Sequence, residues 1–286
     1  MKKLLIFLLL IVAFAFTLSA QRDVPKKYSK VLNDQLIVSQ GIVKGMTFET
    51  RFGNNSAVGS TEEVIQPQGG NYTWQTTPQH FKIAAGGDVT DSITGTGART
   101  VEIRFLDSLW NVQHDTLTLN GVGESPDSTR VPAIRMCKAR VLTTGTYGGT
   151  NTGRILIVAT NLDTVGWIAA TDGVTSTTVC VVPNNTTAYL IKLQAVSDSS
   201  NESTISFNIR GNSEDFSAPY QAVQKIRTFQ GISGNLLIDN LEYIRIPERT
   251  DMWFTAAKTS GGGTPTISAQ YEMIFVANRY NTFEED

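Results

Sequence analysis

The sequence predicts an all-β chain of antiparallel strands, a β-sandwich or jelly roll, with length enough for two consecutive sandwich domains. Three observations predict it. From residue 36 onward, short runs alternate apolar and polar residues. The runs are bounded by clusters of Gly, Asn, Asp, Ser and Thr at close intervals. Helix-length periodicity is scarce, and ten or more short strands without helices between them exclude a parallel sheet.

Taken in order, the chain starts with a targeting segment, residues 1–20. Lys2 and Lys3 give a positive start, residues 4–16 are unbroken apolar, and Thr17-Leu18-Ser19-Ala20 is a small-residue exit, as in a secretory signal cleaved after Ala20. The apolar run falls short of the roughly 20 residues of a spanning helix. Residues 21–35 are polar, carry Lys26, Lys27 and Lys30, and read as a solvated linker or arm.

A first β region is expected over 36–130. In residues 99–105, Val101, Ile103 and Phe105 fall on one face and Thr100, Glu102 and Arg104 on the other, a half-buried strand. Residues 115–119 repeat the pattern and stop at Asn120-Gly121, a pair suited to a tight turn. Residues 121–132, GVGESPDSTRVP, form the longest polar stretch rich in turn-formers and are the expected boundary; the alternative is one sandwich with this stretch as a long loop.

The second β region is expected over 131–279. Residues 154–158 and 178–182 are apolar runs of strand length, 189–196 and 204–209 alternate, and 236–246 holds two apolar segments ended by Pro247. Residues 251–257 and 266–276 flank a loop containing Gly261, Gly262 and Gly263. Residues 217–227 fit either a helix capped by Ser217 or a strand running to Phe229. A faint echo links TGTGARTVEI from Thr94 with TNTGRILIV from Thr150. Residues 280–286 end in an acidic tail, Phe283-Glu284-Glu285-Asp286.

Composition narrows function mainly by exclusion. With 24 Lys plus Arg against 26 Asp plus Glu, the net charge of -2 gives no basic face for nucleic acid. Two His and two Cys leave little material for a metal site, and no cofactor is expected. Only 17% of the chain is charged and about a fifth is Ser or Thr, a balance typical of extracellular and virion β proteins.

Cys137 and Cys180 either form a disulfide, closing a loop of about forty residues and adding roughly 4 kcal/mol, or stay buried as free thiols. His114-Asp115 superficially resembles a base and carboxylate pair, but GxSxG and SxxK motifs are missing, and neither His80 nor His114 is expected to be catalytic. Asp88 and Asp91 in GGDVTDS are either turn-formers or two calcium ligands without the rest of a calcium loop. Gly95-Thr96-Gly97 and Gly261 to Gly263 lack the Lys and helix of a phosphate loop. Among Trp74, Trp110, Trp167 and Trp253, Trp74 in GGNYTWQTT sits in the least apolar setting and is the expected surface contact.

One resemblance is more specific than any of these. Residues 86–120, GGDVTDSITGTGARTVEIRFLDSLWNVQHDTLTLN, with Gly121 following, are similar to a pattern in structural proteins encoded in tailed-phage and marine viral genomes: a GTGAR-T-V strand, an L-D-x-x-W/Y turn, then an E/D-T-L-T-L-N-G strand. The order continues with Asn151-Thr152-Gly153, Val182-Pro183, Thr187-Ala188-Tyr189-Leu190 and Ile246-Pro247-Glu248-Arg249-Thr250-Asp251, covering roughly residues 50–277. The resemblance implies a virion component of capsid, decoration or fibre type. It would form homo-oligomers, contact other virion proteins and carry no catalytic residues. The signal-like residues 1–20 depart from that pattern and allow a membrane contact. The competing expectation is a protein secreted or held at a bacterial surface, binding glycans or a protein partner through exposed tryptophans.

Overall fold

The computed structural model describes residues 34–197, 201–212 and 221–280. The signal-like segment 1–20, the arm up to residue 33 and residues 281–286 lie outside the described residues. Residues 1–44 and 45–286 form two units. In the first, α1 (Asp34–Ser39) occupies the start of the region expected to be stranded. Its last turn closes through Gln40 N–H to Leu36 O at 3.0 Å and ends at Gly41, whose φ of +70° suits glycine.

The second unit is all-β, with fifteen described strands in four antiparallel sheets. One sheet runs β1 (Met46–Asn55), β15 (Ile267–Ala277), β10 (Thr186–Ser197), β13 (Gly234–Ile246). A second runs β12 (Gln224–Ile232), β11 (Glu202–Gly211), β14 (Thr250–Ser260), β2 (Glu63–Val64), with β9 (Cys180–Val181) also on β14. The other two are β3 (Phe81–Ala84), β7 (Ile155–Ala159), β8 (Thr164–Ile168) and β5 (Val112–Thr118), β4 (Ala98–Asp107), β6 (Ala133–Thr144).

The sheets share cores in pairs. Leu193, Ala269, Tyr271 and Met273 from the first sheet meet Ile205, Phe207, Phe254 and Ala256 from the second. Phe254 stacks on Phe207 at 4.8 Å and meets Tyr271 across the layer at 5.1 Å. Phe81, Ile83, Ile155 and Ile157 meet Val101, Ile103, Phe105 and Leu117 in the second core. Each such side chain contributes about 1.5–3 kcal/mol by leaving water. Val101, Ile103 and Phe105 are fully buried, as their alternation predicts.

The two pairs are nested and not consecutive. The chain leaves β14's edge after β2 and returns at β9, and the neck is tied: Thr178 N–H donates to Ile65 O at 3.2 Å, and Thr178 Oγ1 accepts from Phe254 N–H at 3.2 Å. Four sheets also exclude a single jelly roll. β4 pairs with β6 across the polar stretch 121–132. The stretch itself lies along β3, with Ser125 N–H on Ile83 O at 2.6 Å and Thr129 N–H on Phe81 O at 2.9 Å. Within residues 217–227, the described part from Gln224 is strand.

At one end the first sheet pair turns a corner. β10 and β13 pair up to Ser197 and Gly234, while β11 and β12 pair from Ser203 and Ile232, so the β12–β13 connection passes from one sheet to the other at Ser233. Gly231 at φ +66° and Gly234 at φ +87° accept the bend, which L side chains resist.

Candidate functional site

Two features stand out: a charged junction between the sheet pairs and an open apolar edge beyond the corner. At the junction Asp251, fully buried, receives Arg135 through Nε at 2.8 Å and Nη2 at 3.0 Å, and Arg210 through Nη2 at 2.6 Å. Arg135 comes from β6 and Asp251 from β14, so this fork joins the two pairs. Arg135 Nη1 also donates to Gln75 O at 2.7 Å. The Trp74 ring faces both guanidiniums, 5.3 Å from Arg135 and 4.8 Å from Arg210, and Trp110 takes Arg135 at 5.1 Å.

A second lock lies on β1. Its inward set is polar: Glu49, Arg51, Gly53 and Asn55 are buried while Phe52 is exposed. Glu49 holds Arg104 of β4 by two hydrogen bonds of 2.9 and 3.1 Å, and Arg51 Nη1 donates to Cys137 O. Arg51 Nη2 lies 3.1 Å from Glu49 Oε1, an ion pair whose angle makes no hydrogen bond. Burial pushes the Glu49 carboxyl up, but Arg51 and Arg104 outweigh it and hold it below its ordinary 4.5.

A folded pKa below the unfolded one means that the unfolded chain binds more protons in between. The stabilisation is therefore complete above pH 4.5 and is lost as pH falls through the lowered value. Acid denaturation curves are expected to show this loss, and Glu49→Gln is expected to remove that part of the pH dependence while lowering stability at neutral pH.

The open edge is formed by β12 and β13, each with a single neighbour in its sheet among the described residues. Ile226, Phe229, Ile232, Leu236 and Ile238 pack against the first core yet remain half-buried, and Leu237 is 49% exposed. Lys225 on β12 is drawn off to Glu62 at 2.8 Å.

No protein-family model matches the chain, and no curated protein matches it in sequence. In fold it has low-level similarity to a structure of infectious bursal disease virus, Gt strain, with a TM-score of 0.26, 10% identity, and 83% of this chain and 72% of that one covered. It is similar in the same way to the crystal structure of the infectious bursal disease virus VP2 subviral particle, with a TM-score of 0.21, 10% identity, and 82% and 73% covered. Likenesses at these scores carry nothing about function to this chain.

The residues singled out in the sequence fall mainly into structural roles. Trp74 is not a surface platform: besides the arginines, it packs on Tyr72 at 4.6 Å and Trp253 at 5.1 Å, joining two apolar clusters. Trp110 and Trp253 are buried, and half-buried Trp167 carries Arg154 at 5.1 Å. Cys137 and Cys180 are both buried free thiols. Burial pushes Cys137 up to about 11, against the pull of Arg104 and Arg51, which keeps it a neutral thiol.

His114 and Asp115 point to opposite faces of β5, as neighbours in a strand must. Asp115 is occupied by Arg130, Nε to Oδ1 at 2.5 Å, and His80 Nδ1 lies 2.6 Å from Thr129 O. Asp88 bonds Thr90 locally. Asp91, fully buried, accepts from the N–H groups of Ala98 at 2.8 Å, Thr152 at 2.9 Å and Gly153 at 2.8 Å, which fills its lone pairs and corrects the calcium alternative. The faint echo is real in space: both of its Gly loops close on this one carboxylate.

Proposed function

We propose that this chain is a structural subunit of a virion, of capsid, decoration or fibre type, acting by symmetric association with its own copies and with other virion proteins, without chemistry of its own. In this reading each sheet pair is a β-sandwich, and the arginine locks fasten the two into one rigid block. The observation that carries the proposal is the double edge of β12 and β13. It leaves two rows of backbone donors and acceptors beside a half-buried apolar strip, which a monomer exposes at the risk of indiscriminate pairing and an assembling subunit covers with a second copy. The resemblance of residues 86–120 to phage structural proteins supports the same reading.

Sedimentation velocity on the wild type and on Ile226→Lys with Phe229→Lys tests it. The wild type is expected to sediment as a closed oligomer and the double variant as a folded monomer with unchanged far-UV circular dichroism. A wild type that stays monomeric, or a variant that still assembles, overturns the proposal.

A further inference from the structure

One end of the inserted pair of sheets carries a crown of loops: 85–97 between β3 and β4, 119–123 after β5, and 145–154 between β6 and β7. They are pinned to one another. Asp91 gathers the N–H groups of Ala98, Thr152 and Gly153, and its own carbonyl accepts from Gly121 N–H at 3.1 Å. Ile93 N–H donates to Leu119 O at 3.1 Å, and Gly145 N–H to Gly97 O at 2.9 Å. The packing leaves no slack, since a Cβ on either Gly95 or Gly145 would lie 2.0 Å from a carbonyl oxygen.

On this fixed frame large apolar side chains are held out to solvent. Val89 is 67% exposed, Ile93 52% and Val122 63%, and Tyr147 is fully exposed. Three of them stand on adjoining turns: Gly121 packs on the Val89 backbone, where a Cβ would lie 3.7 Å from Val89 O, and Ser92 bridges to Asn120. Scattered apolar residues are ordinary on a surface, but a contiguous set marks a contact.

Charge is scarce in the same place. Residues 89–98, 119–123 and 141–153 hold one charged residue, the fully buried Asp91, although 17% of the chain is charged. Charges resume where the loops end, with Asp88, Arg99, Glu124, Arg140 and Arg154 flanking the three stretches. The turn amides are satisfied from within: Thr90 N–H by Asp88 Oδ1 at 2.9 Å, Gly95 N–H by Ser92 O at 2.9 Å, Gly97 N–H by Thr90 O at 3.0 Å and Gly149 N–H by Thr146 O at 3.0 Å. Loops bonded in this way leave water without stranding those donors. An apolar tip with hydroxyls and a tyrosine, above a charged collar, follows the order of polarity across a bilayer interface.

We propose that this crown docks on the surface of a neutral lipid bilayer, with Val89, Ile93, Val122 and Tyr147 entering the headgroup and upper acyl region. The tip has no cation to attract anionic lipid, so apolar contact carries the affinity.

The test titrates the full chain carrying Tyr147→Trp with phosphatidylcholine vesicles, the wild type serving as the blank for its own tryptophans. Reading at position 147 leaves out any lipid contact made by the apolar residues 4–16. The emission is expected to shift to the blue, to be quenched by acyl-brominated lipid, and to do both unchanged as salt is raised. Val89→Asp with Val122→Asp in that background is expected to weaken the lipid-dependent signal at least about tenfold, because two carboxylates would have to enter the interface. Leu162→Asp, at the β7–β8 turn on the opposite end of the same sheets and no less exposed, is expected to leave it unchanged. Absence of quenching, loss of the signal on raising salt, or an equal loss with Leu162→Asp, each in chains with native circular dichroism, overturns the proposal. So does quenching seen only with protein-bearing membranes, which would make the crown a surface for a protein receptor.

Discussion

Asp251→Ala is expected to cost about 3–5 kcal/mol, lowering the melting temperature by on the order of 10 °C. The carboxylate is fully buried and compensates Arg135, whose side chain is 4% exposed, together with Arg210 at 17%. Removing it leaves the Arg135 guanidinium charged and enclosed between Trp74 and Trp110, with only carbonyl oxygens for partners. Arg210 can still turn towards water. Arg135→Met should therefore rescue part of the loss, and a double-mutant cycle by urea denaturation should show strong coupling between Arg135 and Asp251. Additive losses would mean that the fork does not join the sheet pairs energetically.

Asp91→Ala is expected to cost about 3 kcal/mol, since the buried N–H of Ala98 and the part-buried N–H groups of Thr152 and Gly153 lose their acceptor, at about 1–3 kcal/mol for a fully buried donor. Gly97 and Gly153 show how tightly the loops close on it: a Cβ on Gly97 would lie 2.2 Å from Asp91 Oδ1, and one on Gly153 2.6 Å from the Asp88 Cβ. The loss should be local to the inserted pair of sheets, so hydrogen exchange should accelerate around residues 90–98 and 150–153 before it does so in β10 or β15. A variant as stable as the wild type would show that water or a neighbouring side chain replaces the carboxylate.

What was legible in the sequence follows from how local each signal is. The strand of residues 99–105, the stop at Asn120-Gly121 and the alternation of Ile205 and Phe207 depend on a few neighbouring residues, and all are present. The pairing of β1 with β15 is not local: its ten-residue register joins Met46 to Val276 across almost the whole described unit. β1 also reads backwards, with Glu49 and Arg51 turned in and Phe52 out, because its inner face meets Arg104 and Cys137 of the other pair together with Cys180. The nesting was hidden for a similar reason. The neck strands β2 and β9 are two residues each, and the polar loop that resembled a boundary earns its hydroxyls by capping β3.

The site residues divide in the same way. Trp74 was noticed for a polar sequence context, yet its partners Arg135, Arg210 and Trp253 arrive from far along the chain. Arg135, Arg51 and Asp251 were not singled out. The available signal was a charge at an inward position of an otherwise apolar strand, Arg135 between Ile134 and Met136 being the clearest instance.

The central claim is that the β12 and β13 edge is where copies of this chain meet. Backbone hydrogen exchange at residues 224–232 and 234–238, compared between concentrated assembled protein and the monomeric Ile226→Lys, Phe229→Lys variant, tests it most directly. Protection of these amides in the assembled protein alone is the predicted result; the same fast exchange in both, with protection appearing on another sheet edge, would contradict it.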